Sequence, residues 1–241
     1  MGRVRPVLDL TEALTDLRLL QRWTELVARL SVPGSYCGRS LYAVEQLTCA
    51  LGSDAAGVVV RAAAEGGGPA VGTRVVALTS GAFAERVAVD VSALAEVPQS
   101  VDLAEAAALP VAGIAALQAL RAGGLAQGKR VLVTGASGGV GRFAVQLAAH
   151  AGAYVIASVG SLARGQDLAK AGADEVVVGL EGVHQPVDLV LDNVGGPQMV
   201  AAWELLAPGG SLQSIGWTSG EPAVFQPYST VGPPKSLASF S

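Results

Sequence analysis

The sequence predicts an α/β fold in which a doubly wound parallel sheet follows a smaller β domain. From residue 130 onward, short apolar runs alternate with helical patterns, an order typical of parallel strands joined by right-handed crossovers. Between residues 52 and 98, short β-rich runs are separated by glycines, which indicates a small β domain. With 241 residues, of which 51% are apolar, the chain is long enough for two small domains or one large one.

Composition and charge exclude several classes of partner. Only 15% of the residues are charged, the formal net charge is −4, and no cluster of Lys or Arg would attract nucleic acid. Cys37 and Cys49 form no disulfide framework, which fits a reducing cytoplasm. The first residues lack the apolar core of a signal peptide, and the longest charge-free stretch, residues 143–163, changes periodicity midway. We therefore expect a cytoplasmic protein that binds neither nucleic acid nor membrane.

Residues 1–50 form an atypical N-terminal segment with a predicted helix over residues 12–30. The apolar stripe of this helix consists of Leu14, Leu17, Leu20, Trp23, Val27 and Leu30. The stripe fits a helix that faces a core or a partner, since a membrane-surface helix is usually more basic. Residues 51–105 are then assigned to the small β domain and residues 106–241 to a nucleotide-binding domain. A helix over residues 102–121, interrupted at Pro110, joins them.

The second domain has a regular succession of predicted elements. Strands are predicted at residues 130–134, 153–158, 174–178, 187–192 and 211–216, and helices at 139–151, 163–171 and near 197–206. The first of these helices has one apolar face, made of Val140, Phe143, Ala144, Leu147, Ala148 and Ala151. Ligands of such sheets bind at the carboxyl ends of the strands, so we expect the site in the loops that follow them.

The stretch VLVTGASGGVG, residues 131–141, combines a strand, a glycine-rich turn and the start of an amphipathic helix. In that context Gly135 permits the tight turn, Gly138 lets a pyrophosphate approach the backbone, and Gly141 lets the helix pack closely. Free N–H groups and the helix dipole then favour the phosphate charge. The alternative is a purely structural turn. The predicted dinucleotide contacts are Gly135, Ala136, Ser137, Gly138, Gly139, Val140 and Gly141.

The end of the next strand bears on which nucleotide is bound. An NAD site usually carries an acidic residue there to hold the ribose hydroxyls. This chain has no acid in that region but has Ser158, Ser161 and Arg164. Hydroxyls and a guanidinium suit a 2′-phosphate, so we predict NADP(H). The alternative for Arg164 is an ordinary solvated arginine at a helix start.

Two classes of dehydrogenase have a loop of this kind. TGASGGVG also fits the pattern of the short-chain dehydrogenases, which require a Tyr with a Lys four residues later. None of the four tyrosines has a Lys at that offset, and about half of the chain precedes the loop. The short-chain class is therefore excluded.

Seven stretches between residues 52 and 216 carry a resemblance to another class. They are GSDAAGVV (52–59), GTRVVAL (72–78), GAFAERVAV (81–89), LPVAGIAALQAL (109–120), the glycine loop (131–141), LDNVGG (191–196) and LAPGGSLQSIG (206–216). In this order they resemble the zinc-independent, quinone-oxidoreductase-like medium-chain dehydrogenase/reductases. The resemblance implies a GroES-like β domain for substrate, a Rossmann domain for cofactor, and NADPH-dependent hydride transfer to a quinone or an α,β-unsaturated carbonyl. Related sequences also serve as enoyl reductases in polyketide synthesis.

The residues argue against a metal site. Zinc-dependent members of the superfamily have Gly-His-Glu where this chain has Gly52, Ser53 and Asp54. His150 and His184 are the two histidines, and neither they nor the cysteines have zinc-ligand spacing. Without a Lewis acid, hydrogen-bond donors must polarise the substrate carbonyl.

Two further loops are expected to line the nicotinamide side of the crevice. By motif position these residues are Asn193, Val194, Gly195, Gly216, Trp217 and Thr218. Asp192 is expected to orient its own loop rather than to act as an acid or base. Tyr42 and Tyr228 are candidate proton donors, with a packing role as the alternative for each.

The chain departs from the family at both ends. Residues 1–50 lack the family's opening strands, and KSLASFS (235–241) resembles only the start of the sixth Rossmann strand, where many members dimerise. We therefore expect a truncated or rearranged family member, able to form a homodimer. One alternative is a non-catalytic nucleotide-binding or remnant module of the same fold. Another is an interaction protein that docks through the helix at 12–30.

Overall fold

The computed structural model describes residues 52–64, 66–124 and 126–239, together with the backbone of residues 7–9. It divides into two compact units, residues 1–111 and 112–241. The predicted helix over residues 12–30 and the candidate Tyr42 lie outside the described residues.

The first unit is built on a five-stranded antiparallel sheet with the order β4-β1-β2-β3-β5. Its strands are β1 (Val7–Asp9), β2 (Asp54–Arg61), β3 (Arg74–Leu78), β4 (Arg86–Ala88) and β5 (Leu94–Glu96). A 3-10 helix, Val91–Ala93, precedes β5. Alternate residues of β2 and β3 point to opposite faces, and both faces are covered by apolar side chains. The predicted small β domain is confirmed.

The predicted helix over residues 102–121 consists of two helices, α1 (Leu103–Ala106) and α2 (Pro110–Ala122). The side chain of Asp102 caps α1 by accepting a hydrogen bond from Ala104 N at 2.8 Å. Pro110 opens α2, because a proline has no N–H to lose in the first helical turn and its φ suits a helix. The interruption predicted at Pro110 is therefore confirmed as the start of a new helix.

The carboxyl of Asp54 accepts a hydrogen bond from Val111 N at 2.6 Å, in the first turn of α2. Partial burial raises the pKa of the Asp54 carboxyl above its ordinary value, against the opposing effect of this hydrogen bond. A raised pKa means that the folded state holds the proton more tightly than the unfolded chain. The stability that this group contributes is therefore complete at low pH and is lost as the pH rises through the folded-state pKa.

Replacing Asp54 with asparagine should expose this pH dependence. The asparagine side chain keeps an oxygen for the Val111 N–H but does not titrate. We expect the free energy of unfolding of the wild type, relative to Asp54→Asn, to decrease as the pH is raised from about 4 to about 7. Urea unfolding of both proteins across that interval measures the difference. A wild type that gains stability relative to the variant would show that the site favours the ionised carboxylate.

The second unit is a six-stranded parallel sheet with the order β11-β10-β9-β6-β7-β8. Its strands are β6 (Arg130–Val133), β7 (Tyr154–Val159), β8 (Glu175–Val178), β9 (Val187–Asp192), β10 (Leu206–Ser214) and β11 (Ser236–Ala238). Its other helices are α3 (Gly139–His150), α4 (Leu162–Gly165) and α5 (Gly196–Glu204). The chain runs from β6 outward to β8 and then returns to β9, on the other side of β6. The strand order therefore reverses between β6 and β9, where ligands of such sheets bind.

Both faces of the parallel sheet are buried. Val131 and Val133 pack in one apolar cluster with Ala144 and Val145 of α3. Leu132, which points to the opposite face, packs in a second cluster with Trp203 of α5. Helices on both faces define a doubly wound sheet. The predicted α/β class is confirmed.

Two elements differ from their predictions. The helix predicted at 163–171 ends at Gly165, and the chain continues in tight turns such as Leu168 N to Gly165 O at 3.0 Å. Glycine favours this end because it is a poor helix former. Close packing also requires a glycine here, because a Cβ at Gly165 would lie 2.6 Å from Val176 Cγ1. Strand β10 begins at Leu206 rather than at 211. Its pairing with β9 shifts register between Leu206 and Ser211, where the sequence has a proline and two glycines.

The last strand confirms the sixth Rossmann-type strand that the C-terminal sequence predicts. Ser236, Leu237 and Ala238 pair in parallel with residues 211–213 of β10 and form an edge of the sheet. The homodimer implied by the resemblance stays a prediction. None of the helices within the described ranges has the length and apolar character needed to cross a membrane.

Candidate functional site

The glycine loop joins β6 to α3 by a tight turn. Gly135 has a φ of +60°, which favours glycine, and Gly138 N donates to Gly135 O at 2.9 Å. Ala136 N donates to Ser158 O at 3.0 Å, so the loop is also tied to the end of β7. The turn predicted at Gly135 is present at the carboxyl end of β6.

Close approach of backbone to backbone occurs at Gly141. A Cβ on Gly141 would overlap Gly135 O and lie 2.6 Å from Ala136 Cα. By contrast, a Cβ on Gly139 would meet only Ala112 Cβ, at 3.7 Å. Gly138 and Gly139 are exposed, whereas Gly141 is buried. The first turn of α3 is thus packed on its inner side and open on its outer side.

The open side of the loop offers unpaired N–H groups. The helical hydrogen bonds of α3 begin with Arg142 N to Gly138 O at 2.9 Å. The N–H groups of Gly139, Val140 and Gly141 come earlier in the helix and have no carbonyl one turn back. Together with the helix dipole they favour an anionic group. The residues present therefore fit the pyrophosphate of a dinucleotide.

A buried network fixes the loop that follows β9. Thr134 Oγ1 donates to Asp192 Oδ1 at 2.5 Å and accepts from Asn193 N at 3.0 Å. The side-chain amide of Asn193 donates to Thr134 O at 2.8 Å, and Gly195 N donates to Asp192 Oδ2 at 2.9 Å. These bonds join the ends of β6 and β9 at the position where the strand order reverses.

Asp192 is fully buried, and its carboxyl accepts hydrogen bonds from Thr134, Val194 and Gly195. Burial raises the pKa of Asp192, while its hydrogen bonds with Thr134, Gly195 and Val194 act in the opposite direction. The prediction that Asp192 orients its own loop is confirmed by its bond to Gly195. The part played by Thr134 was not predicted, although a hydroxyl residue directly between a buried strand and a glycine turn is a signal that could have indicated it.

The loop after β10 is joined to the loop after β9. Ile215 N donates to Asp192 O at 2.8 Å, and Thr218 Oγ1 donates to Asn193 O at 3.1 Å. A Cβ on Gly216 would lie 2.8 Å from Asn193 O, so only glycine allows the two backbones to approach this closely. The structure therefore brings together three of the predicted segments: the glycine loop, Asn193–Gly195 and Gly216–Thr218.

The predicted 2′-phosphate contacts lie at the end of β7. Ser158 is buried, and its hydroxyl donates to Gly179 O at 2.7 Å and accepts from Gln198 Nε2 at 3.1 Å. Ser161 and Arg164 are exposed on the short helix α4. The Ser158 hydroxyl is thus used to connect β7, the end of β8 and α5, whereas Ser161 and Arg164 present their side chains to solvent. Gln198 had no signal in the sequence.

Tyr42 lies outside the described residues, and the other remaining candidates are exposed. Tyr228 is 85% exposed and adopts a φ of +66°, in the left-handed region that non-glycine residues rarely occupy. His150, His184 and Ser53 are exposed. Within the described residues, no group of three or more His, Cys, Asp or Glu side chains could hold a metal ion.

Known proteins share this arrangement. A family model for zinc-binding dehydrogenases matches residues 139–239. The chloroplast envelope quinone oxidoreductase homolog of Arabidopsis thaliana is 43% identical over 140 residues, which are 54% of this chain and 42% of that protein. The quinone oxidoreductase of Escherichia coli, solved in complex with NADPH, superimposes with a TM-score of 0.73 at 25% identity, covering 83% of this chain and 66% of that one. The chain belongs to the medium-chain dehydrogenase/reductases, in their quinone-oxidoreductase-like group.

The two units of this medium-chain dehydrogenase/reductase are of the types that its sequence predicts. The antiparallel unit is of the GroES-like type and the parallel unit of the Rossmann type. A highly reducing polyketide synthase of Arthrinium phaeospermum is also similar, at 35% identity over 182 residues, 69% of this chain but 7% of that protein. The chain thus spans less than half the length of these two curated relatives.

Proposed function

We propose that this medium-chain dehydrogenase/reductase is an NADPH-dependent, zinc-independent oxidoreductase that transfers a hydride to a quinone or an α,β-unsaturated carbonyl compound. The observation that carries the proposal is the cradle at the start of α3, with its free N–H groups and the open backbone of Gly138 and Gly139. The names of the Arabidopsis and E. coli relatives, a quinone oxidoreductase homolog and a quinone oxidoreductase, support the reaction class.

When bound, the coenzyme supplies a hydride from its nicotinamide ring, and the protein supplies the geometry. In this proposal the N–H groups of residues 139–141 hold the pyrophosphate. The segments Asn193–Gly195 and Gly216–Thr218 line the nicotinamide end. Because these segments are hydrogen-bonded to one another and to Thr134, they keep their positions before the ligand arrives, which lowers the cost of orienting the reactants. Tyr42 and Tyr228 stay candidate proton donors.

The choice of NADPH over NADH depends on the side chains at the end of β7. Arg164 and Ser161 are exposed there, and the proposed role of Ser158 is to hold the adjoining turn through Gly179. A guanidinium binds a phosphate with short, charge-assisted hydrogen bonds, but gains little from a ribose hydroxyl. Arg164 therefore is expected to favour the coenzyme that carries a 2′-phosphate.

Replacing Arg164 with glutamine tests this preference. We expect Arg164→Gln to raise the Kd of NADPH by roughly ten- to a hundredfold, the loss of about 1.5–3 kcal/mol for a charged hydrogen bond, and to leave NADH binding nearly unchanged. Titrations followed by nicotinamide fluorescence give both constants. Arg121→Gln, at an exposed arginine near the end of α2, is the matched control and should change neither. Equal losses for NADPH and NADH would contradict the assignment of Arg164.

The reaction is tested by following NADPH absorbance with a quinone and with an enone as acceptors. Acceptor-dependent oxidation supports the proposal. Tight NADPH binding without oxidation of either acceptor would favour the alternative of a non-catalytic nucleotide-binding module. Absence of binding to both NADPH and NADH would overturn the coenzyme site itself.

A further inference from the structure

Trp217 is a large aromatic side chain that lies 47% exposed in the loop after β10. Its indole N–H donates to the carbonyl of Glu221, and its Cδ1 lies 2.6 Å from the place a Cβ on Gly195 would take. The neighbouring backbone is held as well, because Ser219 N donates to Val194 O at 2.9 Å. The ring is therefore fixed along the edge that carries Cδ1 and Nε1, while about half of the residue is exposed. An aromatic surface that is already immobile loses little conformational entropy when a ligand stacks on it.

The position of the ring relates it to the substrate rather than to the fold. Trp217 contacts Gly195, which lies in the loop after β9. The strand order of the sheet reverses between β9 and its neighbour β6. Under the proposed function, on which this inference rests, Asn193–Gly195 lines the nicotinamide end of the site. A molecule that accepts hydride there must lie beside the nicotinamide, and Trp217 lies next to that end of the site because it contacts Gly195.

The two segments around the ring, which follow β9 and β10, carry no charged side chains. Residues 193–198 and 215–220 contain none, and the first charge that follows is the acidic Glu221. An anionic acceptor gains no partner from these segments and is repelled by that carboxylate. A neutral, flat, conjugated molecule gains aromatic stacking on the indole face.

We infer that Trp217 contacts the substrate and is a specificity-determining residue, which favours flat, neutral, conjugated acceptors over open-chain ones. The indole acts by stacking and takes no part in the movement of hydride or proton.

Kinetics with two acceptors test the selection. With NADPH saturating, Trp217→Leu should lower kcat/KM for 2-methyl-1,4-naphthoquinone roughly three- to tenfold more than kcat/KM for the open-chain enone 3-penten-2-one, the range expected from one aromatic contact. Trp217→Phe keeps a ring and should retain the preference for the quinone. An equal loss for both acceptors would show that Trp217 acts only through the loop or the coenzyme, and would overturn the inference.

Binding without turnover separates this inference from the proposed function. In the presence of NADP⁺ the naphthoquinone cannot be reduced, and its stacking on an indole should quench tryptophan emission. We expect quenching in the wild type and in Trp203→Phe, and its loss in Trp217→Phe. Trp203 is a matched control because its indole is buried on the α5 side of the sheet, edge-on to Phe225 at 6.0 Å between ring centroids. Titration of N-acetyltryptophanamide corrects for light absorbed by the quinone.

The outcomes are distinguishable. If quenching depends on Trp217 but the protein oxidises NADPH with neither acceptor, the stacking on Trp217 is supported and the reductase activity is overturned. The opposite outcome is that Trp217→Leu keeps the wild-type ratio of kcat/KM for the two acceptors and that quenching persists in Trp217→Phe. This outcome overturns the role of Trp217 and leaves the reductase activity in place. If the leucine variant does not fold, Trp217→Met, which also lacks an aromatic ring, replaces it in the kinetics, and Trp217→Phe still carries the quenching measurement.

Discussion

Replacing Gly141 with alanine is expected to lower the free energy of unfolding by about 3 kcal/mol and to weaken NADPH binding on the order of a hundredfold. The added Cβ would overlap Gly135 O and lie 2.6 Å from Ala136 Cα. Both of these atoms belong to the backbone of the same tight turn, so the overlap cannot be relieved by rotation of a side chain. The loop must move instead, and a displacement of about 1 Å at a binding site costs on the order of a hundredfold in function. Urea unfolding and NADPH titration measure the two effects separately.

Gly139→Ala is the matched control for this change. It adds the same methyl group two residues earlier, where the nearest atom, Ala112 Cβ, is at an ordinary contact distance of 3.7 Å. Since alanine favours a helix more than glycine does, we expect the free energy of unfolding to stay the same or to rise by up to about 1 kcal/mol. If Gly139→Ala destabilised the protein as much as Gly141→Ala, the packing of Gly141 on Gly135 would not be the reason for the loss.

The second large effect is expected at the network between β6 and β9. Asp192→Ala should lower the free energy of unfolding by about 3 kcal/mol, because it leaves the Thr134 hydroxyl and the Gly195 N–H without their buried acceptor. Thr134→Val keeps the shape of the side chain but removes a donor to Asp192 and an acceptor for Asn193 N, and should cost about 2 kcal/mol. Both changes should also weaken NADPH binding, since they release the loop at residues 193–195.

A double-mutant cycle tests whether the two side chains act together. Because Thr134 Oγ1 and Asp192 Oδ1 are 2.5 Å apart, the double variant should be more stable than the sum of the two losses predicts, by about 1 kcal/mol or more. Thr134→Ser retains the hydroxyl and should cost less than about 1 kcal/mol. Simple additivity, or a Thr134→Val protein as stable as the wild type, would show that the network contributes little.

The sequence by itself determined the fold class and indicated where the candidate site lies. Apolar alternation and helical spacing are properties of neighbouring residues, so strands such as residues 187–192 and the helix after the glycine loop could be predicted from a short window. The glycine spacing likewise indicated the turn at Gly135, because its backbone requirement is local. The start of β10 at Leu206 could not be predicted from a short window, because a proline and two glycines follow it at residues 208–210 and the pairing of Leu206 with Val187 of β9 is a long-range contact.

Only the tertiary structure decided which side chains complete the site. Thr134 and Asp192 are 58 residues apart in the chain, and Ser158 and Gln198 are 40 apart. Neither pair has a local pattern, because each depends on which strands are neighbours in the sheet. The same holds for Trp217, whose ring lies across Gly195 because β10 is hydrogen-bonded to β9. Parallel pairing brings together the carboxyl ends of strands that are distant in sequence, and the contacts made there follow from strand order rather than from the residues on either side.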